Sequence, residues 1–149
     1  MEELQDYVIQ QTLPMQVFFT LVEATAKLVE VSEKYWHTIG QNGARVRILV
    51  EIMKEGGQLL PSLLAQKIGV TKANISLLLT PLEKDGLIRR TSHPTDGRKS
   101  VISITIEGQS FLLNHLPGNR STVTEKLKVL TDDELKQLAG LLNKLKNQV

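Results

Sequence analysis

The stretch Leu64-Ala65-Gln66-Lys67-Ile68-Gly69-Val70-Thr71-Lys72-Ala73-Asn74-Ile75-Ser76-Leu77-Leu78-Leu79-Thr80-Pro81-Leu82 reads as two short helices joined by a tight turn. Pro61 can open a short helix over 61–68, because the first turn needs no N–H from it. Gly69 suits the left-handed position after that helix. Thr71 is an N-cap for a second helix over 72–85, in which Ile75, Leu78, Leu79 and Leu82 form a core stripe. Pro81 predicts a kink or a tightened last turn, and Gly86 closes the helix. The first helix buries Leu64, Ala65 and Ile68 and braces the second. The outer face of the second then shows Lys72, Ala73, Ser76, Leu77 and Thr80, which are short or polar with one cation near the N-terminus. Such a face is slim enough to enter a major groove and reach base edges. Thr71, Lys72 and Asn74 lie at an N-terminus whose free N–H groups and dipole favour a phosphate.

Beyond this segment the hydrophobic period changes from helical to alternating. Leu87 to Ser92 reads as a strand, His93-Pro94-Thr95-Asp96-Gly97 as a turn, and Ser100 to Ile106 as a half-buried strand. Two helices joined by a tight turn and followed by a hairpin make a winged helix-turn-helix. The hairpin tip puts Arg98 and Lys99 where a wing follows the minor groove, whose focused negative potential favours Arg. Strand alternation places Arg89 and Arg90 on opposite faces, so at most one of them faces phosphates. Arg45, Arg47 and Lys84 read as solvated or peripheral.

Upstream, Val17, Leu21, Ala24, Leu28 and Val31 predict a helix over 15–36. Asn42 caps another over 43–55, with Val46, Leu49, Val50 and Met53 on one face. Downstream, 107–130 returns to helix, with a disturbance expected at Pro117-Gly118. Thr131-Asp132-Asp133-Glu134 is a capping box that opens a last helix with Leu135, Leu138, Leu141, Leu142 and Leu145.

The residues Leu64 to Thr71, Leu82-Glu83-Lys84-Asp85-Gly86-Leu87-Ile88-Arg89-Arg90, the wing Asp96-Gly97-Arg98-Lys99 and the exit Ile104-Thr105-Ile106-Glu107-Gly108 resemble the MarR-type winged helix-turn-helix regulators. The match is strong over 43–108. The Leu-Ala…Ile-Gly-Val part is shared by many helix-turn-helix proteins, whereas the Asp-x-Arg wing followed by Thr-x-x-Gly is specific. The resemblance implies that Arg98 enters the minor groove and that Asp96 orients it. It also implies that N- and C-terminal helices interlock two subunits, and that small effectors bind near the junction of arm and DNA-binding domain. Tyr35, Trp36 and His37 are the aromatic and ionisable cluster at that junction. The competing reading has Trp36 plugging the hinge. Lys99 departs from the small polar residue frequent there, and Gly118 after Pro117 implies a more bent or mobile arm.

The chain has 149 residues, 41% apolar, 4% aromatic and 23% charged, with no cysteine. Thiolate metal sites, cysteine nucleophiles and thiol redox sensing are thereby excluded. Net charge is −4 over 1–42, +5 over 43–106 and +1 over 107–149, a basic middle suited to a polyanion. The three histidines lack ligand spacing, and neither a phosphate loop nor a nucleophile elbow is present, so no metal, cofactor or catalytic role is read.

The expected fold is mainly α with a small antiparallel β-hairpin, divided into an N-terminal helical dimerisation arm (1–42), a winged helix-turn-helix DNA-binding domain (43–106) and a C-terminal helical dimerisation arm (107–149). The expected function is that of a cytoplasmic, homodimeric transcriptional regulator. It acts as a ligand-responsive repressor, binding a pseudo-palindromic double-stranded DNA operator through Thr71, Lys72, Ala73, Asn74, Ser76, Leu77, Asp96, Arg98 and Lys99 and answering to a small aromatic or phenolic effector. The alternatives are a winged helix serving a protein partner, a regulator without a ligand, and a small enzyme using the arms as a pocket.

Overall fold

The computed structural model describes all residues, 1–149. The elements run α1 (Glu2–Ile9), α2 (Leu13–Thr38), α3 (Gly43–Lys54), β1 (Gln58–Leu59), α4 (Pro61–Ile68), α5 (Lys72–Lys84), β2 (Ile88–Ser92), β3 (Ser100–Ile104), α6 (Ile106–Leu127) and α7 (Asp132–Gln148). They form two compact units, one of residues 32–120 and one of residues 1–31 with 121–149.

Residues 32–120 hold the core. Ile48, Leu49 and Ile52 of α3, Leu64 of α4, Ile75, Leu79 and Leu82 of α5 and Ile102 of β3 are fully buried. The helix starts follow the sequence chemistry. Asn42 Oδ1 accepts from Arg45 N at 3.0 Å, and Thr71 Oγ1 accepts from Asn74 N at 3.2 Å. Gly69 ends α4 at φ +81°, where a side chain would be strained. The expected hairpin has a third strand: the antiparallel order is β1-β3-β2, with Leu59 opposite Ile102 and Ile88 opposite Ile104.

Three expectations are corrected. The buried face of α3 carries Val46, Ile48, Leu49 and Ile52, while Met53 is exposed and Val50 half-buried. The second hairpin strand stops at Ile104, because Thr105 turns the chain into α6. Its Oγ1 donates to Gly86 O at 2.6 Å and accepts from Gly108 N at 3.0 Å. Helix α6 runs through Pro117-Gly118 without interruption. The carbonyl that Pro117 leaves unpaired belongs to Leu113, an exposed residue. Gly118 lies against the Tyr35 ring, and a Cβ there would collide with it. The glycine makes a close approach rather than a hinge.

Residues 1–31 and 121–149 comprise α1, most of α2, the end of α6 and α7. None of these residues is buried. Large apolar side chains stand open along them, among them Phe18, Phe19 and Val22 of α2 and Leu138, Leu141, Leu142 and Leu145 of α7. The capping box at Thr131 is complete. Thr131 Oγ1 accepts from Glu134 N at 3.2 Å, and Glu134 Oε1 accepts from Thr131 N at 2.9 Å. That second bond, given by a backbone N–H, holds the Glu134 carboxyl below its ordinary pKa.

Candidate nucleic-acid interface

Helix α5 turns Ile75, Leu79 and Leu82 into the core, and Leu78 packs partly against it. Thr71, Lys72, Ala73, Asn74, Ser76, Leu77 and Thr80 are all exposed. Leu77 is 72% exposed, a large apolar side chain left uncovered.

The wing tip is tied by short hydrogen bonds. His93 Nδ1 accepts from the backbone N–H groups of Thr95 and Asp96, each at 3.2 Å. His93 N donates to Lys99 O at 2.9 Å, and Lys99 N to Asp96 O at 3.0 Å. Asp96 Oδ1 accepts from Arg98 N at 3.1 Å and stands 3.8 Å from Arg98 Nε. Asp96 thus holds the Arg98 backbone, while the Arg98 side chain is 96% exposed. His93, one of the three histidines, is occupied as a turn acceptor. No group of His, Asp and Glu side chains in the structure is placed to hold a metal ion.

The structure settles the Arg89 and Arg90 alternation. Arg90 turns toward α5, where Nη2 donates to Thr80 Oγ1 at 3.2 Å and Nε lies 3.5 Å from Glu83 Oε2. Thr80 Oγ1 in turn donates to Ser76 O at 3.0 Å. Arg90 therefore ties the base of the wing to the C-terminal half of α5. Arg89 is absent from that side and lines, beside Arg90, a groove with Glu83, Gly86, Thr105 and Glu107. On the Arg90 side, a cavity of about 420 Å3 lies between α4, α5 and the wing, lined by Ser62, Lys72, Ser76, Arg90, Arg98 and Lys99 among others. Four cations on one groove raise the local concentration of polyanion. Neither Arg90 nor Ser62 could be chosen from local pattern alone. Strand alternation showed only that the two arginines oppose each other, and Ser62 joins the groove through the tertiary fold.

The profile of the MarR family matches residues 39–99. The transcriptional repressor YetL of Bacillus subtilis, a helix-turn-helix protein, is 31% identical over 132 residues, 88% of this chain and 79% of YetL. The chain belongs to the MarR family. Solved structures agree on the fold. Sco3205, a MarR family regulator from Streptomyces coelicolor in complex with DNA, superposes with a TM-score of 0.83 at 23% identity, covering 93% of this chain and 89% of that one. The organohalide-sensing regulator RdhR-CbdbA1625, in its 2,4-dichlorophenol-bound form, gives 0.84 at 20% identity, covering 95% and 84%. This MarR-family chain is a transcriptional regulator and not an enzyme, and no helix in it is long and apolar enough to cross a membrane.

Of the cluster Tyr35, Trp36 and His37, the first two pack together in this MarR-family chain and the third does not join them. Trp36 is buried, meets Tyr35 edge-on and stacks on Phe111 with centroids 6.5 Å apart. Tyr35 Oη donates to His115 O at 3.0 Å. His37 is exposed. A cavity of about 530 Å3 opens elsewhere in the same unit, between α3 and α6. Val50, Met53, Leu112, Leu113, Leu116 and Pro117 give it apolar walls, and Lys54, Gln109 and Arg120 add polar groups. Two basic residues away from the wing, Lys67 and Arg47, have structural partners. Lys67 Nζ pairs with Glu55 Oε1 at 2.8 Å, which raises the Lys67 pKa, and Arg47 Nη2 donates to Lys67 O at 3.4 Å.

Proposed function

We propose that this regulator is a homodimer that represses transcription by occupying a pseudo-palindromic operator and is released by a small aromatic or phenolic effector. The observation that carries the dimer is the unit formed by residues 1–31 and 121–149. It has no buried side chain, yet exposes apolar stripes on α2 and α7. Each such side chain gains roughly 1.5–3 kcal/mol on full burial, so a second copy of the same helices is the natural cover. Two copies bring two α5 helices, which would enter successive major grooves about 34 Å apart.

In this reading Ala73, Asn74, Ser76 and Leu77 face base edges, Thr71 and Lys72 a phosphate, and Arg98 and Lys99 the minor groove, with Asp96 orienting Arg98. Repression accords with the name of YetL. The effector reading rests on the α3–α6 cavity, whose apolar walls and two cations suit an aromatic ring bearing a carboxylate or phenolate. The 2,4-dichlorophenol held by RdhR-CbdbA1625 is of that class. Helix α3 also packs on α5 through the core, so a ligand preferring one setting of α3 changes the share of dimers at the DNA-binding spacing.

Selection of random duplexes on the purified protein tests the reading. A recovered inverted repeat, bound by two chains and released by an aromatic acid or phenol, is the expected result. A folded protein that enriches no sequence refutes it and leaves the winged helix to a protein partner.

A further inference from the structure

Helix α5 advances about 100° per residue, so positions 73, 77 and 80 form one ridge. Ile75, Leu79 and Leu82 are buried on the opposite side, and that ridge therefore projects farthest from the domain. Its residues are Ala73, Leu77 and Thr80, all exposed. Ala73 and Leu77 have no hydrogen-bonding group on their side chains. The Thr80 hydroxyl is already engaged, donating to Ser76 O and accepting from Arg90 Nη2. The leading edge of this helix thus offers carbon where a recognition helix commonly offers donors and acceptors. Leu77 is the extreme case at 72% exposure, with nothing in its own chain covering it.

The groove beside that ridge is lined by Lys72, Arg90, Arg98 and Lys99. A polyanion is therefore the partner that this side of the helix attracts. Within the major groove of DNA one apolar group is available for direct contact, the 5-methyl of thymine. We infer that Leu77, with Ala73 beside it, reads thymine methyl groups, and that each operator half-site carries a thymine whose methyl sets much of its specificity. The inference rests on the operator reading above and names the chemical group recognised.

The polar residues are left to the flanks. Asn74 lies on one side of the ridge and Ser76 on the other, so hydrogen-bonded readout is confined to neighbouring base pairs.

The test takes the duplex recovered by selection and replaces its thymines by deoxyuridine, one symmetric pair at a time. Each replacement removes a methyl group and keeps the base pair. At one position per half-site, affinity should fall about fourfold for each methyl, or about fifteenfold for the symmetric pair. Leu77→Ala, a change at an exposed position, should bind thymine and uracil duplexes equally there while keeping its helical content. Uniform affinity of the unaltered protein for every uracil duplex overturns the inference. So does a loss that persists undiminished in Leu77→Ala, because the methyl is then read elsewhere or through duplex shape. If selection enriches no duplex at all, the operator reading itself fails and takes the inference with it. A recovered operator that tolerates uracil leaves the operator reading standing and removes only the methyl contact.

Discussion

Gly108→Ala exposes how the wing is fastened to the helix that follows it. An alanine Cβ at this position would run into Leu87 O and press on Ile104 Cγ1. The obstructing oxygen is backbone, so no rotamer change relieves it. Leu87 O also accepts from Thr105 N at 3.0 Å, and Thr105 Oγ1 donates to Gly86 O at 2.6 Å. Making room for the methyl means moving the turn between α5 and β2 away from the start of α6. Overpacking of this kind costs about 1–3 kcal/mol, and the two displaced hydrogen bonds about 1 kcal/mol each. Replacing glycine in a helix returns about 1 kcal/mol. The net loss is about 2–4 kcal/mol, a large part of the roughly 5–15 kcal/mol of a folded domain. Gly140→Ala is the matched control, since nothing lies within 4 Å of its added Cβ. It lies on the face of α7 opposite the leucine stripe and should gain up to about 1 kcal/mol. Urea unfolding at fixed protein concentration measures both, and Gly108→Ala should lower the midpoint by roughly 1–2 M. A Gly108→Ala protein as stable as the control would refute the close approach between α6 and Leu87.

Thr131→Ala removes the hydroxyl that caps α7 and should cost about 1 kcal/mol, read by urea unfolding. Glu134 should show the same cap through pH. Its folded pKa is depressed by the Thr131 N–H, so its contribution is present above the ordinary carboxylate pKa and lost as pH falls through the folded value. Glu134→Gln should therefore flatten the acid limb of a stability-against-pH curve. Arg98→Ala should leave stability within about 0.5 kcal/mol, because the side chain is exposed. Specific operator binding should still weaken by about 1–3 kcal/mol in a titration. Removal of 131–149 should give monomer or aggregate in sedimentation, and a soluble dimer from that truncation would exclude α7 from the interface.

The recognition segment was legible because its determinants are local. Thr71 caps, Gly69 turns and the Ile75-Leu79-Leu82 stripe faces inward, all through contacts within a few residues. The capping box at Thr131 was readable for the same reason. What escaped depends on distant partners. β1 is two residues long, Gln58–Leu59, too short to show alternation, and exists because β3 offers its edge. Pro117-Gly118 reads as a break, yet Gly118 is selected by the Tyr35 ring packed against it from α2. The side to which Arg90 turns was set by Thr80 and Glu83 on another element. Helix α1, Glu2–Ile9, buries nothing, and its eight residues offer only Leu4, Tyr7 and Val8 at helical spacing, too short a run to stand out. The α3–α6 cavity arises where two helix faces meet, so residues near the Tyr35-Trp36-His37 cluster gave no indication of it.

In the proposed complex α5 and the wing hold DNA by charge as well as by base contact. The most direct measurement is the salt dependence of binding to the selected duplex, for the unaltered protein and for Lys72→Ala. Each phosphate contact contributes about 0.9 to the slope of log affinity against log salt. The slope should be steep and negative, shallower in Lys72→Ala by about one unit per half-site, with two chains on each duplex. A flat slope, or one unchanged by the substitution, would contradict it.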